Sequence, residues 1–278
     1  KSVARTLLAK IYAEKPLRDY TKVIQYCDEV KEDGFDLVDD FSDLFGMNAA
    51  GTDAKMRNTK ESILEAQFTS GAGNWCTWMF GRDLVNWNNN FTWAKWVTPS
   101  RDLISAFKQE GDEVRFKESI VYYDCNWSNY YPSDNYPFMY KCRSANSSII
   151  KYRYADVLLL KAEALIMQDT PDLEGAADII DEVRDRAKLG ALPTSVRSNK
   201  NVLLNALLKE RRLELAFEGQ RWFDLVRLDK VEEVMNAVYA KDSGRKAQIY
   251  TFDKNSYRLP IPQSVIDAND KIHQNPGY

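Results

Sequence analysis

Apolar residues return with a helical period at three places along the chain. Ala4, Leu7, Leu8 and Ile11 stand at i, i+3, i+4 and i+7, and Tyr20, Val23, Ile24 and Cys27 repeat that spacing after Lys15-Pro16. Such spacing puts the apolar side chains on one face of an amphipathic helix. The two segments predict a helical hairpin over residues 1–33. Ala155, Leu158, Leu159 and Ala162 form a second stripe, and Ala176, Ile179, Ile180 and Val183 form its partner. Thr170-Pro171 between them reads as an N-cap followed by a first-turn proline. Both hairpins open on A-x-x-L-L-x-K, at Ala4 and at Ala155, a degenerate internal repeat that points to tetratricopeptide-like helix pairs. A third pair is expected from Leu204, Leu207, Leu208 and Leu215, on a helix that should stop at Gly219, and from Trp222, Leu225 and Val226 beyond it. Helical hairpins are thus expected over 151–240.

Residues 34–150 lack this period. Ser62-Ile63-Leu64-Glu65-Ala66-Gln67-Phe68 predicts one strand. The rest reads as loop, rich in Asn, Ser, Asp, Gly and aromatics, with too many large rings for a disordered segment. Residues 241–278 are proline-punctuated and read as an extended run over the helices. The fold class expected is all-α dominated: tetratricopeptide-like helical hairpins, a long irregular loop-rich insertion and minor β content.

Charge narrows the function. The 38 Lys and Arg are outnumbered by 41 Asp and Glu, which leaves no basic excess for a nucleic-acid partner. No apolar run reaches the length of a membrane span. Cys27, Cys76, Cys125 and Cys142 fit no zinc spacing, and the one histidine, His273, makes His-based catalysis improbable. No metal site and no cofactor are expected. The cysteines read as buried thiols, with a Cys125–Cys142 or Cys76–Cys125 bridge as the alternative. None of the many carboxylates stands in a setting that marks an acid–nucleophile pair, so no enzyme is expected. Lys1 opens directly into a helical pattern, which predicts the trailing part of a longer chain.

Lys209 to Leu225 reads KERRLELAFEGQRWFDL. Glu210, Arg211, Arg212, Glu214 and Glu218 alternate sign at helical spacings, and Arg221 and Asp224 extend the set. An anion site is one reading. A satisfied ion network beside Phe217 and Trp222, locking two helices at a fixed angle, is the stronger one. The segment closely resembles the C-terminal signature of the SusD/RagB family of outer-membrane nutrient-binding lipoproteins. Glu210, Arg211, Arg212, Glu214, Phe217, Glu218, Gly219, Arg221, Trp222, Asp224 and Leu225 carry the match. Tyr152 to Leu159 with Ala162-Glu163-Ala164, and Leu259-Pro260-Ile261-Pro262-Gln263 with Gln274 to Tyr278, resemble two further signatures. Pro99-Ser100-x-x-Leu103 with Ala106-Phe107 is a weaker fourth. The resemblance implies a single SusD-like domain over 1–278 that lacks its N-terminal portion and its lipid anchor. It also implies a cell-surface glycan binder at the outer membrane, partnered by a SusC-like TonB-dependent transporter. The matched motifs look like scaffold and name no ligand residue.

That leaves the aromatics. Five of the seven tryptophans, Trp75, Trp78, Trp87, Trp93 and Trp96, lie in one stretch interleaved with Asn74, Arg82, Asp83, Asn86, Asn88, Asn89 and Asn90. An indole covers the C–H face of a sugar with little loss of side-chain freedom, and amides and charged groups satisfy its hydroxyl rim. A second mixture runs from Tyr122 to Tyr131. The candidate glycan-binding residues are Trp87, Trp75, Trp78, Trp93, Asn86, Asn88, Arg82, Asp83, Tyr130 and Tyr131. Trp87 leads them, because asparagines on both sides preclude a dry core without unsatisfied amides. Trp96, next to the weak scaffold match, reads as structural. The competing reading is a helical-repeat adaptor that holds a protein or peptide in a groove.

Overall fold

The structure, a computed structural model, describes residues 1–69, 72–74, 98–125, 130–241 and 251–278. Helices α1 (Ser2–Ala13) and α2 (Tyr20–Glu32) form the expected first hairpin. A 3-10 turn at Lys15–Leu17, with Pro16 at its start, joins them. Asp19 caps α2 by accepting from the Lys22 amide at 3.1 Å. Ala9 and Ala13 of α1 and Val23, Cys27 and Val30 of α2 are buried.

The stretch between the hairpins holds more regular structure than its composition suggests. It contains α3 (Ser42–Phe45), β1 (Ser62–Ala66), α4 (Arg101–Glu110), α5 (Glu113–Ser119), β2 (Ile120–Tyr123), β3 (Tyr136–Met139) and β4 (Ile149–Arg153). The expected strand is thus β1, and it pairs antiparallel with β4, Ser62 opposite Arg153. β2 pairs antiparallel with β3, Ile120 opposite Met139. α4 corrects the loop reading of its segment. Ser100 caps it, Gly111 ends it in the left-handed region at φ +70°, and Leu103, Ile104 and Phe107 give it a buried stripe. That stripe packs with Ile120, Leu213 and Ala216.

α6 (Tyr154–Met167) and α7 (Leu173–Arg186) form the second hairpin. The cap of α7 falls at Asp172, which accepts from the Gly175 amide at 2.9 Å, two residues beyond the Thr170-Pro171 start expected. α6 is buried nearly all round rather than along one stripe, because it packs against α1, α2, α7 and α9 (Lys200–Glu214); α8 (Thr194–Arg197) precedes α9. Its Asp156 receives Lys10 of α1 at 2.6 Å and Arg211 of α9 at 2.8 Å. Burial alone would raise that carboxyl's pKa, but the two cations hold it well below the usual range. α9 ends at Glu214 rather than at Gly219, in a turn with Phe217 at φ +65° and Gly219 at φ +78°. α10 (Arg221–Arg227) follows. Cys27, Cys125 and Cys142 are buried thiols outside any disulfide, so the Cys125–Cys142 bridge does not form; Cys76 lies outside the described residues.

Two compact units emerge, Lys1–Arg221 and Trp222–Tyr278. The second contains α11 (Val231–Lys241), a 3-10 turn at Lys254–Tyr257 and α12 (Gln263–Asp267), so its proline-rich end is less extended than expected. Within it Phe252 sits edge-on to Tyr239 at 5.3 Å and 6.3 Å from Trp222. Gln274 bonds both the amide and the carbonyl of Ile261, at 2.8 and 2.9 Å, and Asn275 donates to the Leu259 carbonyl at 2.7 Å. Gly277, at φ +95°, leaves no room for a Cβ, which would lie 2.6 Å from the Cβ of Asn255. The two halves of the closing signature therefore clasp each other.

Candidate ligand-binding site

α4 presents two faces. Leu103 and Phe107 point into the core, while Arg101, Ser105, Lys108 and Gln109 share the other face at helical spacing. That polar face forms one wall of an open cleft of about 440 Å³. The opposite wall comes from Tyr122 of β2 and from Tyr131, Pro132 and Asn135 in the loop between β2 and β3. Arg101 ties the walls together. Its guanidinium stacks 4.0 Å from the ring centre of Tyr130 and 4.6 Å from that of Tyr131, and it donates to the Tyr130 carbonyl. The two tyrosines meet edge to face at 4.9 Å. The Tyr131 hydroxyl donates to the Pro99 carbonyl at 2.7 Å, just before α4 begins.

Several polar groups around this cleft are open to an incoming molecule. The Lys108 ammonium, the Asn135 side-chain amide and the Tyr122 hydroxyl have no hydrogen-bond or ionic partner among the described residues. Burial pushes the Tyr122 pKa up, so its hydroxyl stays neutral and can donate or accept. The cleft thus offers an aromatic wall, neutral donors and acceptors, and two cations.

Of the ten candidate residues, Tyr130 and Tyr131 are brought together here, and Tyr131 lines the cleft. Trp75, Trp78, Arg82, Asp83, Asn86, Trp87, Asn88 and Trp93 lie outside the described residues, as does Trp96. Asn74 is buried, its amide donating to the carbonyls of Ser144, Ala145 and Ser147 at 3.2, 3.0 and 2.7 Å, which is scaffolding. Sequence reasoning missed Arg101, Ser105, Lys108, Gln109 and Asn135. Its one available signal was the polar i, i+4, i+7 set opposite Leu103 and Phe107.

The charged Lys209–Leu225 segment is spent elsewhere. Glu214 is fully buried, and four cations arrive on it or beside it. Arg153 Nη1 lies 2.5 Å from it and also 2.7 Å from Glu61. Arg186 pairs with both of those acids. Arg115 reaches Glu210 at 2.6 Å and Glu214 at 3.0 Å. Lys141 donates to the Glu214 carbonyl at 2.8 Å and to Glu218 at 2.6 Å. Burial alone would raise the Glu214 pKa; Arg186, Arg153, Arg115 and Lys141 outweigh it and hold the carboxyl well below its ordinary value. Burial pulls the Lys141 ammonium down to about 8. Arg212 instead turns to Asp102 at 2.7 Å, and Arg221 to the Leu208 carbonyl at 2.8 Å. The network's charges are paired within the fold, with only the buried Arg115 Nη2 and Arg186 Nε of these arginines left without a hydrogen-bond partner among the described residues, and the network is a structural lock. Among the described residues, no group of three or more His, Cys, Asp or Glu could hold a metal ion, and no helix is long and apolar enough to cross a membrane.

Comparison with known families reads the same segments. The SusD family profile matches residues 131–278, more than half of the chain. The chain belongs to the SusD family. Two proteins of Formosa agariphila are similar to this SusD-family chain. SusD-like protein P38 is 43% identical over 99 residues, 34% of this chain and 19% of that protein, and SusD-like protein P2 is 36% identical over 143 residues, 49% and 27%. A SusD superfamily protein from Parabacteroides distasonis has the same fold, with a TM-score of 0.72 at 21% identity over all of this chain and 63% of its own. A laminarin-binding SusD-like protein matches at a TM-score of 0.69 and 25% identity, over all of this chain and 62% of its own. The chain thus spans about a fifth to a quarter of these curated relatives and just under two thirds of these solved structures.

Proposed function

We propose that this SusD-family protein binds an oligosaccharide or polysaccharide at the cell surface without altering it, and delivers it to a SusC-like TonB-dependent transporter in the outer membrane. The observation that carries the binding reading is the cleft along α4. Its aromatic wall suits the C–H face of a sugar, and its open amide, hydroxyl and ammonium suit the hydroxyl rim. Family membership and a similar protein described as laminarin-binding support the same reading. Delivery to the transporter rests on family membership alone. Trp87 and its asparagine neighbours, with Trp75, Trp78, Trp93, Arg82 and Asp83, are proposed to extend the sugar-contacting surface.

Calorimetry against a panel of poly- and oligosaccharides tests the proposal. At least one glycan should bind, and Tyr131→Ala and Trp87→Ala should each weaken it about tenfold, the loss of one stacked ring, with helical content unchanged. A folded protein that binds nothing in the panel would remove the glycan reading. Unchanged affinity in one variant would remove that residue from the site.

A further inference from the structure

The first unit holds a second cavity. Its volume is about 300 Å³, at the small end of the range for ligand pockets, and it shares no lining residue with the α4 cleft. Phe45, Met139, Ile149 and Phe217 give it apolar walls. Lys141 and Glu218 of the ion network stand at its deep end, their side chains 4% and 10% exposed. The network also shapes the wall. Phe217 sits at φ +65°, a left-handed conformation that a bulky side chain rarely adopts. The next residue, Glu218, receives Lys141 at 2.6 Å and Arg153 at 2.7 and 2.8 Å, which holds this turn and keeps Phe217 on the cavity wall. Lys141 itself is incompletely bonded. Of the three N–H donors of its ammonium, one reaches the Glu214 carbonyl at 2.8 Å and one reaches Glu218. The third has no oxygen partner among the described residues. The rings of Phe45 and Phe41, 4.8 and 5.2 Å away, offer it only their π faces. The lowering of this ammonium to about 8 by burial agrees with that shortfall.

We infer that this cavity is a second carbohydrate site, which takes one neutral sugar unit. The inference goes beyond the α4 cleft and stands on other residues. A hydroxyl accepts and donates through one oxygen. It can take the third N–H of Lys141 and give its own hydrogen to Glu218, whose carboxylate only accepts. A carboxylate or sulfate in the same place would be pressed against Glu218. An ammonium would meet Lys141 and, among the other lining residues, the exposed Lys151. A wholly apolar molecule would fill the walls but leave the third Lys141 donor buried and unbonded. The Phe217 ring suits the C–H face of the sugar. The volume suits one unit and not a run of them, so the ligand is a free monosaccharide or the end of a glycan chain.

Saturation-transfer NMR with free monosaccharides tests the inference, using neutral hexoses and pentoses, a uronic acid and an amino sugar. Each is titrated to roughly 20 mM, well above the dissociation constant on the order of 1 mM expected for so small a ligand. At least one neutral sugar should give transfer and bind at least about threefold tighter than either charged form. Ile149→Trp, which puts an indole into the cavity from a half-buried strand position, should abolish the signal. Phe217→Leu should weaken binding about threefold to tenfold. Tyr131→Ala, in the cleft, should leave the signal unchanged. Helical content and urea midpoints show that each variant folds, and if Ile149→Trp does not, Phe217→Leu decides. No transfer from any neutral sugar would overturn the second site. So would transfer that survives in Ile149→Trp or is lost in Tyr131→Ala. Polysaccharide binding that persists beside any of these results leaves the cleft reading standing. A charged sugar that binds as tightly as the best neutral one would overturn the neutral selection.

Discussion

Tyr122 and Tyr131 face one cleft, but their hydroxyls do different work. That of Tyr131 is bonded to the Pro99 carbonyl at 2.7 Å, and its ring sits edge-on to Tyr130 and Tyr136. That of Tyr122 has no partner among the described residues. Tyr131→Phe should therefore lower stability by about 1 kcal/mol in urea denaturation, the net worth of one hydrogen bond. Tyr122→Phe should leave the denaturation midpoint nearly unchanged and weaken glycan binding about threefold to tenfold. The reverse pattern would mean that the two roles are exchanged. Aromatic and amide composition singled out Tyr130 and Tyr131 along the chain, because glycan chemistry calls for those side chains. It did not single out Lys108 or Asn135, since a lone lysine or asparagine carries no such signal until a partner wall stands opposite.

At the scale of elements, α4 carries the cleft. Its start depends on Ser100, whose Oγ accepts from the Leu103 amide at 3.1 Å. Ser100→Ala should cost about 1 kcal/mol of stability, read from the urea midpoint, and should weaken glycan binding as the first turn loosens beneath Arg101. Stability lost without any change in affinity would separate the cap from the site. The helix was legible in Leu103, Ile104 and Phe107 and in the glycine at Gly111, yet it lay inside a segment dominated by loop-forming residues. The short interval between the helix and the next element hid its period. α6 shows the opposite difficulty. Its apolar stripe was plain, but the period did not tell what the buried Asp156 meets, which is Lys10 of α1 and Arg211 of α9.

Across the whole of the first unit, stability turns on the charges around Glu214. Removing one partner of a buried network leaves the others uncompensated, so Glu214→Gln should destabilise by about 3–5 kcal/mol. The pH dependence has a definite sign. The folded carboxyl titrates well below its ordinary value of 4.5, so its stabilisation is fully present above that value and is lost as pH falls through the folded pKa. Urea midpoints should fall steeply below about pH 4.5 in the native protein and less steeply in Glu214→Gln over the same interval. Equal slopes would show that other carboxylates govern acid unfolding. The sequence by itself determined the helical hairpins, the all-α class and the scaffold character of Lys209–Leu225, because periodicity and alternating charge act over a few residues. Only the tertiary structure decided which charges meet. Arg115, Arg153 and Arg186 come from three distant elements, and pairing them with Glu214 depends on how those elements pack. The same holds for the cleft, where α4 meets a loop some thirty residues away and a polar helix face becomes a cationic wall only once that loop closes over it.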